Sequence, residues 1–225
     1  MSEPVGDPAR RAGGRQDLRA DCTRCAGLCC VAPAFAASAD FAIDKPAGQP
    51  CPNLAADFHC GIHERLRERG FSGCAVFDCF GAGQHVTQVT FRGGDWRDSP
   101  AVAASMFTAF TVLRQLKELL WHLAEGLALL PAGPLRDELG RVRDLTERLT
   151  DADPDELALV DAPAHRQEVG RLLERVSQVV RAEVRDRGPD HRGGDLIGAN
   201  LRGADLRGSS PVSYTHLTLP TTPYV

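Results

Sequence analysis

The stretch CTRCAGLCC, from Cys22 to Cys30, decides how the first half of this chain is organised. It holds four of the chain's eight cysteines. The other four follow singly, at Cys51, Cys60, Cys74 and Cys79, and none occurs after them. Buried structural cysteines are usually scattered along a chain and not clustered in this way. We therefore interpret residues 21–98 as an irregular, cysteine-rich metal-binding module.

The spacing of these cysteines favours thiolate coordination of a metal ion. Cys22 and Cys25 are separated by two residues, a spacing that lets two thiolates reach one zinc ion or iron–sulfur cluster from a turn. Cys29 and Cys30 are adjacent, and adjacent side chains diverge by about 100° on a helix, so one metal rarely takes both. The candidate metal ligands are Cys22, Cys25, Cys29, Cys30, Cys51, Cys60, Cys74 and Cys79, with His63 as an additional candidate. The expected cofactor is zinc or an iron–sulfur cluster.

Two alternatives to metal binding stay open for the cysteines. The eight thiols would suit a framework of four disulfides, or they would be redox-active or simply buried thiols. The N-terminus has no apolar segment of the kind found in secretory signals, so we expect a cytoplasmic protein whose thiols are kept reduced. No nucleophile–base pair can be named from the sequence, and we assign no enzyme activity.

Composition excludes several classes of partner. The net charge is −4, and the basic residues are 24 arginines and only two lysines, Lys45 and Lys117. This balance lacks the basic excess of a duplex-binding protein, so we do not expect nucleic acid. No run of some 18 apolar residues occurs, so we expect no membrane span. A protein partner is the remaining expectation.

Residues 99–187 carry the pattern of a helical bundle. Ser99 followed by Pro100 is a strong helix start, with serine as the N-cap and proline in the first turn. An apolar stripe then runs to Pro131, and two further stripes cover 135–149 and 169–180. Three amphipathic segments with short links predict an antiparallel three-helix bundle.

Two shorter elements are predicted inside the cysteine-rich module. Ile62 and Leu66 share a helical face, and Gly70 stands where a C′ glycine would end that helix. Residues 84–91, QHVTQVTF, alternate in a way that predicts a short strand. Residues 1–20 have no periodicity and are expected to be a disordered lead-in.

The C-terminal part shows a five-residue repeat over GDLIG, ANLRG and ADLRG. A period of five fits neither a helix nor a flat strand, but it suits a coil that turns a corner at every pentad. The expected repeat core is Leu196, Leu201, Leu206, Ala199 and Ala204. Residues 211–225 match nothing before them, and we interpret them as translated read-through of a sequencing adaptor that is not native.

Two family resemblances follow from these motifs. The pentads resemble the pentapeptide-repeat family, which implies a right-handed quadrilateral β-helix, here an incomplete one over 188–210. The motifs CTRCAGLCC, PCPNL and FHCGIH resemble the CxxCxxCC family of zinc- or iron-chelating domains, which implies that the motif cysteines are ligands. The order of a cysteine-rich head, a helical middle and ADLRG repeats over residues 21–210 is similar to one branch of bacterial pentapeptide-repeat proteins.

The predicted fold class is therefore mainly α. It combines a cysteine-rich module, a three-helix bundle and the truncated start of a β-helix. The predicted function is a metal-binding scaffold whose repeat segment contacts a protein. The alternative is a redox-active or metal-handling protein that uses the cysteine cluster.

Overall fold

A computed structural model describes residues 18–182, 200 and 202–203 of the chain, and every structural statement below concerns these residues. Four helices follow the cysteine-rich half, of which the third is short: α4 is Pro100–Leu129, α5 is Pro134–Thr150, α6 is Pro154–Ala158 and α7 is Ala162–Ala182. Three short helices precede them: α1 is Leu28–Val31, α2 is Ser72–Val76 and α3 is Ala82–His85. Two 3₁₀ turns, Cys22–Arg24 and His63–Arg65, and a π-helical turn, Val86–Thr90, complete the described elements.

Helix α4 begins where the sequence predicts. The Ser99 hydroxyl oxygen accepts a hydrogen bond from the Val102 N–H at 3.2 Å, which satisfies one of the otherwise unpaired donors of the first turn. Pro100 occupies the first turn, where its missing N–H costs nothing. The helix ends at Leu129, shortly before Pro131. The three predicted helical stripes are confirmed as α4, α5 and α7, and the short α6 between them was not predicted.

Helix α4 is the central element of the fold. Its C-terminal half packs with α5 and α7 around an apolar core of Leu119, Leu123, Leu130, Leu139, Val169, Leu172 and Val176. At Gly126 the helices approach so closely that an added Cβ would lie 2.9 Å from the Leu139 side chain. The glycine is therefore required by packing and not by backbone conformation.

The N-terminal half of α4 packs against the cysteine-rich segment. This second core joins residues of five elements and of the loop before α1, namely Ala26, Leu28, Ala82, Val86, Met106, Ala109, Phe110, Leu113, Leu116 and Leu157. Leu28 and Val86 have no solvent-exposed surface. The cysteine-rich segment is thus held on the bundle by apolar burial, while its own interior is irregular. The predicted boundary near residue 98 stays a prediction.

The predicted strand at residues 84–91 is wrong. These residues form the end of α3 and the π-helical turn. Val86 lies four residues after Ala82, and both are fully buried against α4. The Thr87 hydroxyl donates to the Gly83 carbonyl at 2.9 Å, a bond typical of helical threonine. Burial of residues four positions apart therefore determines a helical structure here, although the alternating β-branched residues favour a strand.

The helix predicted around Ile62 and Leu66 is shorter than expected. Only the turn His63–Arg65 is regular. The helical segment nevertheless ends at Gly70, as predicted, and Gly70 is in the left-handed conformation with φ of 77°. The Phe71 N–H donates to the Leu66 carbonyl and the Gly70 N–H to the Arg67 carbonyl. This pair of bonds is a Schellman motif, and the buried Leu66 and Phe71 are its apolar partners.

The predicted fold class needs a correction. The described residues are mainly α, as expected, but they contain only isolated bridges, Phe35 with Lys45 and Leu54 with Cys60, and no strand or sheet. They therefore give no β-helix and no pentapeptide-repeat fold, contrary to the prediction. The repeat-core residues lie outside the described part of the chain, namely Leu196, Leu201, Leu206, Ala199 and Ala204. The same holds for residues 1–17 and 211–225.

No helix among the described residues is long and apolar enough to cross a membrane.

Candidate functional site

The segment Cys22–Cys30 is shaped by a cap, a turn and a left-handed glycine. Asp21 caps the first turn, since its carboxylate accepts from the Thr23 N–H at 3.1 Å and from the Thr23 hydroxyl at 2.6 Å. Gly27 has φ of 68°, which a residue with a side chain rarely adopts. An added Cβ there would lie 3.2 Å from the Phe58 carbonyl oxygen. Gly27 therefore lets the chain turn into α1, which carries Cys29 and Cys30.

Polar side chains from residues 84–96 hold this segment in place. The Thr87 hydroxyl oxygen accepts from the Ala26 N–H at 3.0 Å, and the Trp96 indole N–H donates to the Ala26 carbonyl at 2.8 Å. The Gln84 side chain accepts from the Asp21 N–H at 3.1 Å. The Gln88 amide donates to the Arg24 carbonyl at 2.9 Å. Sequence reasoning missed these supports because it assigned residues 84–91 to a strand. A helical period of polar groups at 84, 87 and 88 was the available signal.

Cys51 and Cys60 reach the site through backbone pairing. The Cys51 N–H donates to the Cys30 carbonyl at 2.9 Å, which places the two residues side by side. Leu54 and Cys60 form an isolated antiparallel bridge, so Cys60 returns beside the Cys51 loop. Cys51 is buried and Cys60 is partly buried. Two cysteines that are distant in sequence from α1 are thereby brought to it.

Cys79 and Cys25 meet at Gly83 of α3. A Cβ added at Gly83 would lie 2.6 Å from the Cys25 sulfur and 3.9 Å from the Cys79 sulfur. Only a glycine leaves room for the Cys25 sulfur at this position, and the Cys79 sulfur lies at ordinary contact distance. Hydrogen bonds from backbone N–H groups reach both sulfurs: Leu28 and Gly27 donate to Cys25, and Gly83 and Gly81 donate to Cys79.

Burial sets the protonation of most of these thiols. It raises the pKa of Cys25 to about 11, although the backbone N–H groups that donate to its sulfur act in the opposite direction. Burial also raises the pKa of Cys74 to about 11, with nearby cysteine charges adding to the effect. Burial is also the main reason why the pKa values of Cys22 and Cys79 are raised.

Cys29 is different from its neighbours. The Cys30 thiol donates a hydrogen bond to the Cys29 sulfur, and this bond lowers the pKa of Cys29 in spite of its burial. The same bond raises the pKa of Cys30, because the donor must keep its proton. Negative charge on Cys29 also raises the pKa of Cys22, Cys25 and Cys74. The charge of Cys29 therefore affects the pKa values of at least three other cysteines of the group.

All eight cysteines belong to one cluster, which we call the cysteine cluster. Each of the six cysteines with a shifted pKa is influenced by another cysteine of the set. Cys51 and Cys60 both act on Cys30 and on Cys74. All eight are free thiols in the structure. The structure thus joins cysteines from across 58 positions of sequence, from 22 to 79.

Metal binding through the described residues stays a prediction. They contain no group of three or more His, Cys, Asp or Glu side chains arranged to hold a metal ion.

His63 lies at the edge of the cluster. Its N–H donates to the Cys60 carbonyl at 3.1 Å, and its side chain lines an open groove of about 420 Å³ together with Cys74 and Phe77. His63 and Cys60 do not share a helical face, because the turn begins only at His63. Its role as a ligand, like that of each cysteine, stays a prediction.

The comparisons with known proteins give one relative. The chain is 48% identical over 169 residues to the Bacillus subtilis (strain 168) protein named "Uncharacterized protein YybG". The match covers 75% of this chain and 61% of the relative, so the chain spans less than two thirds of that protein's length. No protein-family model matches the chain, and no solved structure matches it. The two family resemblances therefore stay predictions.

Proposed function

We propose that this protein binds a thiophilic metal ion through the cysteine cluster, as zinc or within an iron–sulfur cluster. The observation that carries the proposal is the convergence of eight free cysteines from separate segments on one region beside α4. Thiolates are the preferred ligands of both kinds of centre. The candidate ligands are the eight cysteines, and a bound metal would supply folding energy and local positive charge.

The backbone around Cys25 and Cys79 supports this proposal. Each sulfur accepts hydrogen bonds from two backbone N–H groups next to a glycine in the left-handed conformation, Gly27 for Cys25 and Gly81 for Cys79. Such bonds are stronger to a charged sulfur than to a neutral one. The loops are therefore better matched to thiolates than to the thiols that burial favours. A metal ion is the agent that deprotonates a buried thiol outright.

The proposal requires the sulfur atoms to move. No group of three or more metal-ligating side chains is preformed in the described part of the chain, so we include rotation of cysteine side chains in the proposal. The segments that carry them are short, and several of the thiols are only partly buried, which leaves room for rotation. Metal uptake by this protein is then a local folding event and not the filling of a rigid cavity.

Elemental analysis of the full chain, purified without oxygen and without chelators, tests the proposal. We expect at least one zinc per chain in a colourless protein, or iron with matching sulfide in a brown one. The double variant Cys25→Ser, Cys79→Ser should lose most of that metal. The control variant Ser177→Ala, on an exposed position of α7, should keep it.

Two outcomes would overturn the proposal. One is a folded protein with only trace metal and eight thiols that titrate as free. The other is a protein whose metal content is the same in the double cysteine variant and in the wild type. Reversible disulfide formation with a small-molecule disulfide, in a protein without metal, would instead favour the redox alternative.

A further inference from the structure

Lys45 is a buried lysine in a chain that otherwise relies on arginine. The chain has 24 arginines and two lysines, and Lys45 is only 4% exposed. Its ammonium donates to the carbonyl oxygens of Val31 at 3.0 Å, Pro46 at 3.1 Å and Gln49 at 2.9 Å, and also to that of Pro33. Four carbonyl groups around one ammonium form a cage that a compact point charge fits. An arginine would keep the positive charge there but would match the positions of the four carbonyl groups less well.

This cage joins two segments of the cysteine cluster. Val31 directly follows Cys30, and Gln49 lies two residues before Cys51. The Cys51 N–H donates to the Cys30 carbonyl at 2.9 Å, so the ammonium binds both stretches of chain just beside their point of contact. The ring of Phe35 lies 4.8 Å from the ammonium and covers its other side. Lys45 therefore fixes the spacing of Cys30 and Cys51.

The charge of Lys45 lies on the chain segments that carry Cys30 and Cys51. Within the described residues no ion pair joins Lys45 to a carboxylate, and the carbonyl cage supplies dipoles only. Once a metal ion deprotonates them, the Cys51, Cys30 and Cys74 sulfurs would favour the charged form of Lys45. A buried charge is costly unless an opposite charge lies near it. Two or more thiolates around a metal ion would supply this opposite charge. The buried ammonium would in turn stabilise the thiolates.

We propose that Lys45 is a positioning residue of the cysteine cluster, which clamps Cys30 beside Cys51 and balances the negative charge of the thiolates that hold a metal ion. This inference rests on the proposed metal binding. It adds a specific requirement, because metal affinity then depends on one side chain that is not a ligand. Loss of a residue that supports metal ligands typically costs about 10- to 100-fold in affinity.

A cobalt titration of the full chain tests this role. Cobalt(II) accepts the thiolate ligands that zinc uses, and its visible absorption reports the number of sulfur ligands. We compare the wild type with Lys45→Met, which keeps the apolar stem and removes the charge. The matched control is Lys117→Met, since Lys117 is the other lysine and is buried in α4.

We expect Lys45→Met to need about tenfold more cobalt for half-saturation, with an unchanged absorption spectrum at saturation and unchanged helical circular dichroism. Lys117→Met should bind cobalt like the wild type. If Lys45→Met gives no cobalt spectrum at all, Lys45→Arg decides, because it keeps the charge. Partial recovery by arginine supports the charge role.

Other results separate failure of this inference from failure of the proposed function. Equal cobalt affinity of Lys45→Met and wild type overturns the role of Lys45 and leaves metal binding intact. An equal loss of cobalt affinity in Lys117→Met also overturns it. If Lys45→Met gives no cobalt spectrum, failure of Lys45→Arg to recover any of that spectrum overturns it as well. Absence of any cobalt spectrum in the wild type overturns the proposed function and the inference together.

Discussion

Gly83 is the residue whose missing side chain leaves room beside two cysteine sulfurs. Its place in α3 gives it ordinary helical geometry, so its value lies only in the missing side chain. Glycine inside a helix otherwise costs about 1 kcal/mol relative to alanine. Glycine is nevertheless present here because the Cys25 and Cys79 sulfurs lie where a side chain of residue 83 would be. The cysteine cluster therefore depends on the small residue Gly83 as well as on the cysteines.

Gly83→Ala should destabilise the protein and weaken its metal binding, because the new methyl would lie 2.6 Å from the Cys25 sulfur. Gly140→Ala is the matched control. Gly140 is inside α5 with no atom within 4 Å of its added Cβ, so this change should stabilise the helix by up to about 1 kcal/mol. Urea denaturation of both variants gives the comparison. Equal effects of the two substitutions would contradict the assigned role of Gly83.

His165 is the residue that links stability to pH in the bundle. The Thr146 hydroxyl donates to the Val142 carbonyl at 2.7 Å, so its oxygen accepts from the His165 Nε2–H at 2.8 Å. Burial lowers the pKa of His165, and the nearby Glu168 acts in the opposite direction. The unfolded chain therefore binds a proton more readily than the folded one at mildly acidic pH.

The stability contributed by a neutral His165 is complete above its ordinary pKa of 6.5 and is lost as pH falls towards the lower folded value. We expect the urea midpoint to drop between about pH 7.5 and about pH 5.5, and to drop less in His165→Gln. The carboxylates with lowered pKa, Asp21 and Asp95, titrate below this window and add nothing to the change. An identical pH dependence in the variant would contradict this assignment.

At the scale of elements, helix boundaries depend on local chemistry that is visible in the sequence. Ser99 and Pro100 start α4, and the capping box of Asp153 and Glu156 starts α6. The Asp153 carboxylate accepts from the Glu156 N–H at 2.9 Å while the Glu156 side chain accepts from the Asp153 N–H at 3.2 Å. A motif of this kind is a sufficient signal for α6, although the turn-rich segment around it led to no helix being predicted there.

Ser99→Ala should cost about 1 kcal/mol of unfolding free energy, because the Val102 N–H loses its acceptor. Ser177→Ala is again the control, since Ser177 is exposed within α7 and alanine is the better helix former there. Urea denaturation monitored by circular dichroism measures both. A loss in Ser177→Ala as large as that in Ser99→Ala would show that the cap is not the cause.

The elements that sequence reasoning missed are those that depend on tertiary contacts. Residues 84–91 alternate like a strand, but the neighbours Val86 and Thr87 are both buried, whereas a strand would point them to opposite faces. Nothing within eight residues reveals that α4 lies beside them. The convergence of Cys51 and Cys60 on Cys30 likewise depends on irregular backbone pairing, for which no sequence period exists.

At the scale of the whole molecule, α4 connects two cores that differ in composition. One holds the cysteine-rich segment on Met106, Phe110 and Leu113, and the other holds α5 and α7 on Leu119 and Leu123. Only the first core lies next to the cysteine cluster. Changes at the cluster should therefore reach the N-terminal half of α4 before they reach the rest of the bundle.

Chelator treatment should show this division. We expect amide hydrogen exchange to accelerate over residues 22–91 after metal removal, while α5 and α7 keep their protection, because metal binding supplies folding energy to the irregular segment alone. Mass spectrometry of peptides from treated and untreated protein measures it. Equal acceleration in α5 and α7 would show that both cores unfold as one unit, against the predicted boundary near residue 98.

The central claim, that the cysteine cluster holds a metal ion, is tested most directly by X-ray absorption at the edge of whatever metal copurifies with the chain. The account predicts a first shell made mainly of sulfur, at about 2.3 Å for zinc. The Cys25→Ser, Cys79→Ser variant should lose the metal or show fewer sulfur neighbours. A first shell of nitrogen and oxygen only, unchanged in that variant, would contradict the account.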